Sequence, residues 1–467
     1  MAHLEGAPAA IGETRLSFTD TIAALATPPG RSAVALIRLS GRQALAVAEA
    51  VLRPFTADPA RTAVRARAVN AAGELLDDVL YTVFRAPGSY TGDDLVEIGT
   101  HGGLLVPGEV LGAVLAAGAR LAQPGEFTHR ALLNGKVDLL QAEAIADLVD
   151  ATAPAQRRAA LRQLDRGLSD RIGTLRERVV SLEALVSYDI DFPEEDSGPV
   201  APERIDRAIA DLLDSVDRLL RTASEGERLH QGAVAVIAGR PNVGKSSLFN
   251  ALLGTERAIV TEIPGTTRDA IEAPATCGGF PFRLVDTAGL RESADRVERL
   301  GIEVSRRYLA AADIVVLCVE AWREPDEEEL AFAREFGERL ILVRTKSDVT
   351  GGRGSAPEGV GRPGIPLSAV TGEGLADLRA ALARVAFSTL AQQGDVEPVV
   401  TRERHRLALE RARAEVQRFA EARHSGIEAA AAATHLHAAV TALEDVIGLV
   451  TTDDVLDRVF ISFCVGK

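Results

Sequence analysis

The stretch GRPNVGKS, Gly239 to Ser246, has the form G-x-x-x-x-G-K-S, and each residue type in it has a task on a phosphate. The glycines let backbone N–H groups wrap an anion, Lys245 reaches the β and γ phosphates of a nucleotide, and the Ser246 hydroxyl ligates Mg²⁺. Asn242, Val243, Gly244 and Ser247 complete the loop. Further on, DTAG (Asp286, Thr287, Ala288, Gly289) offers a carboxylate to the Mg²⁺ shell and a glycine amide to the γ-phosphate. TKSD (Thr345, Lys346, Ser347, Asp348) ends on a carboxylate that can accept two hydrogen bonds from the guanine edge, which selects GTP over ATP. Lys346 would lay its alkyl stem on the base, and Ser368 with Ala369 fits a backbone contact to guanine O6.

Together these motifs resemble the translation-factor-like class of small GTPases. Between the phosphate loop and DTAG lies TEIPGTTRD (261–269), in which Thr267 is the candidate switch threonine for Mg²⁺. The guanine motif of that class is N/T-K-x-D; Thr345 is its less usual form, expected to keep guanine selection and to loosen the loop. Leu290 follows DTAG where Ras-like enzymes carry the glutamine that positions water. With no arginine finger identifiable, a monovalent cation near the β and γ phosphates could supply the missing positive charge.

The hydrophobic period indicates what holds these residues. AVAVIAGR (233–240), FRLVDTAG (282–289), DIVVLCVE (313–320), LILVRTKSD (340–348) and GIPLSA (364–369) are short apolar runs alternating with helix-length segments, the pattern of a parallel α/β sheet. Residues 17–130 mix β-like runs (SAVALIRLS, DDVLYTVFRAP, DLVEIGTHGG) with helical stretches, a second α/β pattern. From about 136 the period becomes helical: Leu161, Leu164, Leu168, Ile172, Leu175, Val179, Leu182 and Val186 form one apolar stripe, and Ile205, Ile209, Leu212, Val216 and Leu219 another. The chain is helical again after about 390, so one helical domain is interrupted by an insertion. The composition of TGGRGSAPEGVGRPG (350–364) leads one to expect a flexible insert before the last strand.

Composition narrows the partners. A net charge of −15 excludes coating of nucleic acid by bulk electrostatics, so any RNA contact needs a local basic patch or a basic partner. Of 52 basic residues only Lys136, Lys245, Lys346 and Lys467 are lysines, which marks them as places where a guanidinium does not replace a compact ammonium. Cys277, Cys318 and Cys464 are far apart, against a disulfide framework or zinc site. Neither a signal peptide nor a long apolar span is visible, and a cytoplasmic protein is expected.

GRPNVGKSSLFNALLGTERAIVTEIPGTTRD followed by DTAGLRESADRVERLGIE resembles the MnmE (TrmE) tRNA-modification GTPases. So do ATPPGRSAVALIRLSG (26–41), YTGDDLVEIGTHGG (90–103), PGEFTHRALLNGKVDLLQAEAIADLVDA (124–151) and the terminal TTDDVLDRVFISFCVGK, whose C-x-G-K ending is specific to that family. The resemblance covers about residues 17–467 and leaves 1–16 as an unmatched extension. It implies α/β plus all-α architecture: an N-terminal α/β domain (17–131) that binds 5-formyl-tetrahydrofolate and forms a homodimer, a split helical bundle (132–230 and 389–467, the latter with the C-terminal CVGK motif), and an inserted Ras-like P-loop GTPase domain (231–388). It further implies a FAD-containing MnmG/GidA-family partner in a heterotetramer, and 5-(carboxymethyl)aminomethyl modification of the wobble uridine of certain tRNAs. GTP hydrolysis by facing G domains would depend on potassium. Carried over by motif, Asn242, Thr261, Ile263 and Thr266 are potassium positions. Ser246 and Thr267 bind magnesium. Glu262, Pro264 and Gly265 lie in the same nucleotide-binding switch. Glu298 orients the attacking water, Arg38, Glu97, Lys136 and Lys467 are folate positions, and Cys464 is a catalytic candidate.

Plainer readings stand beside these. Glu298 sits among alternating charges, as on a solvated helix face; Arg38 could mark a strand's emergence into water; Lys136 could be a turn lysine after NG. Cys464 as a nucleophile would need a lowered pKa, and a buried structural thiol is the alternative. CVGK has the outline of a prenylation site, but its final Lys fits that chemistry poorly. At the level of function, the alternatives are a ribosome-assembly GTPase without modification chemistry, which predicts a basic RNA-binding appendage, and a folate-dependent one-carbon enzyme carrying a regulatory G domain.

Overall fold

The computed structural model describes residues 20–191, 201–254, 272–286, 308–350, 363–393 and 399–448, and near the C-terminus Leu456, Val459, Phe460, Phe463, Val465 and Gly466. The chain divides into two compact units, one of residues 1–142 with 451–467, the other of residues 143–450.

The first unit is built on a seven-stranded sheet of β1 (Ile22–Leu25), β2 (Gly30–Ser40), β3 (Leu52–Arg53), β4 (Val64–Val69), β5 (Leu75–Phe84), β6 (Leu95–Gly103) and β7 (Arg120–Leu121), in the order β3-β4-β5-β6-β2-β1-β7. Strand alternation divides its side chains between two faces. Ala23, Ile37, Leu39, Val96 and Ile98 pack with helices Ala44–Val51 and Val106–Ala116. Ile22, Ala24 and Phe127 pack together in a smaller cluster with Tyr90 against it. The short helix Glu126–Leu133 supplies Phe127. It begins at Gly125, φ +69°, where a Cβ would lie 2.8 Å from the Phe460 carbonyl oxygen, so the close approach of the chain's tail requires glycine.

In the second unit, β8 (Ala233–Gly239), β9 (Glu272–Cys277), β10 (Phe280–Asp286), β11 (Ile314–Glu320), β12 (Leu340–Thr345) and β13 (Ile365–Leu367) form a sheet ordered β13-β12-β11-β8-β10-β9. All its pairings are parallel except β9 against β10. β8, β11 and β12 are buried almost throughout, which accounts for their continuous apolar runs. Helices Lys245–Gly254 and Leu375–Ala386 pack into one hydrophobic cluster with the sheet, and Glu327–Phe336 into another.

Helices Gly167–Asp191, Pro202–Gln231, Glu403–His424 and Ala429–Ile447 provide the helical part, segments before and after the six-stranded sheet in sequence. One expectation changes here: the stripe from Leu161 to Val186 is two helices. Pro154–Leu164 stops at Asp165, Arg166 takes φ +65°, and a new helix starts at Gly167. Leu168 to Val186 are buried as expected, but Leu161 is exposed. Among the described residues, no helix is long and apolar enough to cross a membrane.

Candidate functional site

The phosphate loop runs from the end of β8 into helix Lys245–Gly254, whose N-terminus turns the positive end of the helix dipole toward the loop. Its backbone is shaped to admit an anion. Gly239 has φ +140° and a Cβ there would stand 2.5 Å from the Cys318 carbonyl oxygen; Gly244 has φ +103°, and Asn242 takes the left-handed conformation at φ +62°. Lys245 is buried, its ammonium donating to the carbonyls of Gly239 at 3.1 Å and Arg240 at 2.8 Å. Ser246 and Ser247 are exposed at the helix start. Asp286, buried at the end of β10, is in register with Ile237 of the adjacent β8, so its carboxylate belongs to the same strand ends as the loop.

The guanine motif is fastened to this loop by two bonds. The Thr345 hydroxyl, buried, donates to the Val243 carbonyl at 2.7 Å, and the Lys346 ammonium donates to the Asn242 carbonyl at 2.8 Å. The threonine hydroxyl thus reaches the phosphate loop directly. Ser347 donates to the Glu373 carboxylate at 3.3 Å, while the Ser368 amide donates to the Glu373 carbonyl at 3.0 Å, which joins the Ser368–Ala369 segment to the same motif. Asp348 is exposed. Burial pushes the Cys318 thiol up to about 12, Asp286 adding to the shift and Lys245 opposing it, so this cysteine is an inert neighbour of the loop. Glu373 escaped sequence reasoning, which had only a charged residue between glycines to work with.

In the first unit, Arg38 on β2 lies directly opposite Glu97 on β6. The guanidinium donates to the Glu97 carboxylate at 2.8 and 3.1 Å and to the carbonyl of Gly466 at 3.1 Å. Its central carbon stands 5.6 Å from the Tyr90 ring and 5.8 Å from that of Phe127. Tyr90 hydrogen-bonds the Thr128 hydroxyl at 2.8 Å. Burial raises its pKa, against the pull of that bond and of Arg38. The plain reading of Arg38 as a strand's exit into water fails, because this arginine, two residues before the end of β2, is partly buried and paired with Glu97. Arg38, Glu97 and the tail are thus brought together, with aromatic faces that sequence reasoning did not single out. Lys136 is exposed on a turn after helix Glu126–Leu133 and donates to the Pro87 carbonyl at 2.9 Å. Thr261, Glu262, Ile263, Pro264, Gly265, Thr266, Thr267, Thr287, Ala288, Gly289, Glu298, Cys464 and Lys467 lie outside the described residues.

Residues 21–136 match the family description "GTP-binding protein TrmE N-terminus", and residues 139–464 match "MnmE helical domain". The tRNA modification GTPase MnmE of Moorella thermoacetica is 43% identical, covering 96% of this chain and 99% of its own length. The protein of the same name from Aquifex aeolicus is 40% identical over 96% and 100%. This chain belongs to the MnmE family. Among solved structures, the G domain of the T. maritima FeoB iron transporter is 32% identical, over 33% of this chain and 98% of its own, with a TM-score of 0.25. Described parts of the MnmE-like motifs form the two clusters above, one at the phosphate loop and one around Arg38.

Proposed function

We propose that this MnmE family member is a potassium-stimulated GTPase that acts with a FAD-containing MnmG-family partner in the cytoplasm. Together they would place a 5-(carboxymethyl)aminomethyl group on the wobble uridine of certain tRNAs, using a one-carbon unit from 5-formyl-tetrahydrofolate. The GTPase assignment follows from family membership, and the phosphate loop tied to its guanine motif through Val243 and Asn242 supports it. The observation that carries the modification chemistry is Arg38, which joins Glu97 of the sheet to Gly466 of the tail beneath two aromatic rings. A folate presents a flat heterocycle with hydrogen-bonding edges and a carboxylate tail. A guanidinium, a carboxylate and aromatic faces in one place suit both features.

On this reading Ser246 and Thr267 would hold Mg²⁺, Asn242, Thr261, Ile263 and Thr266 would hold K⁺, and Glu298 would orient the attacking water. The chemistry supplied by the two cations is positive charge over the phosphate oxygens. Lys245 adds its ammonium to that field and Asp348 selects guanine. Arg38, Glu97, Lys136 and Lys467 would bind the folate, with Cys464 beside it. Homodimerisation falls to residues 17–131, the helical domain to 132–230 and 389–467, and the G domain to 231–388.

The test is nucleoside mass spectrometry of tRNA from a strain lacking this protein, paired with GTP hydrolysis by the purified chain in potassium or sodium. Loss of the wobble modification, and faster hydrolysis in potassium, are expected. Unchanged tRNA with defective ribosomal subunits would instead make it an assembly GTPase.

A further inference from the structure

Trp322, the single tryptophan of the chain, has no part in the reading above. It follows β11 by two residues and is 52% exposed, an unusual setting for an indole that is not in use. The backbone on either side is fixed. The Ala321 amide donates to the Thr345 carbonyl at 2.9 Å, and the Arg344 guanidinium donates to the Ala321 carbonyl at 3.1 Å. Arg323 is held by Glu320 at 2.8 Å and by Glu329 at 2.6 and 2.7 Å. Ala321 is thus strapped to the strand that ends in the guanine motif and Arg323 to Glu320 and helix Glu327–Phe336, so the indole is presented from a base fixed on both sides.

What it presents to is Lys346. The ammonium stands 5.2 Å from the indole centroid while donating to the Asn242 carbonyl, so the lysine is gripped at its tip from two sides. Its backbone is at φ +60°, a conformation that a lysine keeps only when its surroundings impose it. A lysine stem is a floppy platform unless its end is anchored, since each free rotor must be ordered when a flat base settles on it. A positive charge over an aromatic face is a directional anchor that water does not fully dissolve.

We propose that Trp322 is a positioning residue of the guanine site: its indole face pins the Lys346 ammonium and so holds the lysine stem flat for the purine base. This rests on the GTP reading, and it concerns affinity for the base, leaving phosphate chemistry to other groups.

The full-length protein allows a direct test, because its only tryptophan reports on itself. Trp322 emission is expected to change on addition of GDP and to stay constant with ADP. Trp322→Ala should raise the Kd for GDP and the KM for GTP about three- to ten-fold, with kcat at saturating GTP within about two-fold of the parent. Trp322→Phe, which keeps an aromatic face, should recover most of the affinity. An unchanged Kd and KM in folded Trp322→Ala protein would overturn the proposal and assign the exposed indole to a protein contact. A fall in kcat with KM unchanged would overturn it too. Failure of the parent protein to bind GDP would count against the GTPase reading itself, and it is seen before any substitution is made.

Discussion

Thr345 shows how much a single side chain can decide. Its hydroxyl is buried and donates to the Val243 carbonyl, one of the two bonds between the guanine motif and the phosphate loop. The motif made the residue visible in the sequence, yet its contact was legible only in the fold, where the Val243 carbonyl lies 2.7 Å away, across a separation of 102 residues. Thr345→Ala removes the donor and leaves a buried carbonyl short of a partner, a loss of about 1 kcal/mol, which corresponds to an about five-fold weaker Kd for GDP. Thr345→Asn keeps a donor in reach and should bind within about two-fold of the parent. Isothermal titration with GDP distinguishes these outcomes, and equal affinity for the alanine variant would remove the strap from the account. Lys245 and Arg38 illustrate the two ends of legibility. A phosphate-loop lysine is defined by its neighbours in sequence, whereas Arg38 depends on a residue 428 positions away.

At the scale of elements, the helical part is held by more than its apolar stripes. Glu143, fully buried, accepts from Arg404 at 3.0 and 3.2 Å and faces His405 at 2.7 Å, while Arg404 also donates to the carbonyls of Asp445 and Val446 at the end of helix Ala429–Ile447. Arg402 completes the group through Asp147 at 2.6 Å. Burial alone would raise the Glu143 carboxyl, but His405, Arg404 and Arg402 hold it far below the usual carboxylate range. Burial pushes His405 down; Glu143 opposes this, and Arg404 and Arg402 reinforce it. With Nε2 facing Glu143, a second proton on His405 would sit on Nδ1, which has no partner among the described residues. Burial and the two arginines thus favour the neutral imidazole of His405, against the pull of Glu143. A histidine whose folded pKa lies below its unfolded one contributes stability that is complete above about pH 6.5 and is lost as pH falls. Unfolding midpoints in urea should decline from about pH 7.5 to 5.5, and His405→Gln should flatten that decline. Glu143→Gln, which strands buried guanidinium charge, should cost about 3 kcal/mol at neutral pH. An unaltered pH slope in His405→Gln would refute the assignment. None of this was legible beforehand, because helical periodicity identifies apolar faces and is blind to a charge buried among them. The same blindness hid the break at Arg166, where the stripe continues in register through a residue that leaves the helix.

The molecule as a whole joins its last residues to its first unit, and this is where local sequence reasoning reaches least far. Val465 pairs with Pro124 across an isolated bridge, Phe460 stacks on His129 at 4.6 Å, and the Gly466 carbonyl takes a hydrogen bond from Arg38. Gly466 has φ +100°, and a Cβ there would come within 2.8 Å of the Ala26 Cα and the Leu25 carbonyl, so the tail passes over β1 at a distance that glycine alone permits. On the folate reading proposed above, the tail and the paired Arg38 would share the ligand. Deleting Gly466 and Lys467 should abolish tRNA wobble modification and weaken binding of 5-formyl-tetrahydrofolate, while GTP hydrolysis persists. The phosphate loop and guanine motif lie wholly in the other unit, at 239–246 and 345–348, and none of their described bonds involves the tail. Calorimetry with 5-formyl-tetrahydrofolate, GTP turnover and tRNA nucleoside analysis on the same truncated protein separate the two sites. A truncation that loses GTP hydrolysis and keeps folate affinity would reverse the assignment, placing the last two residues in the service of the nucleotide.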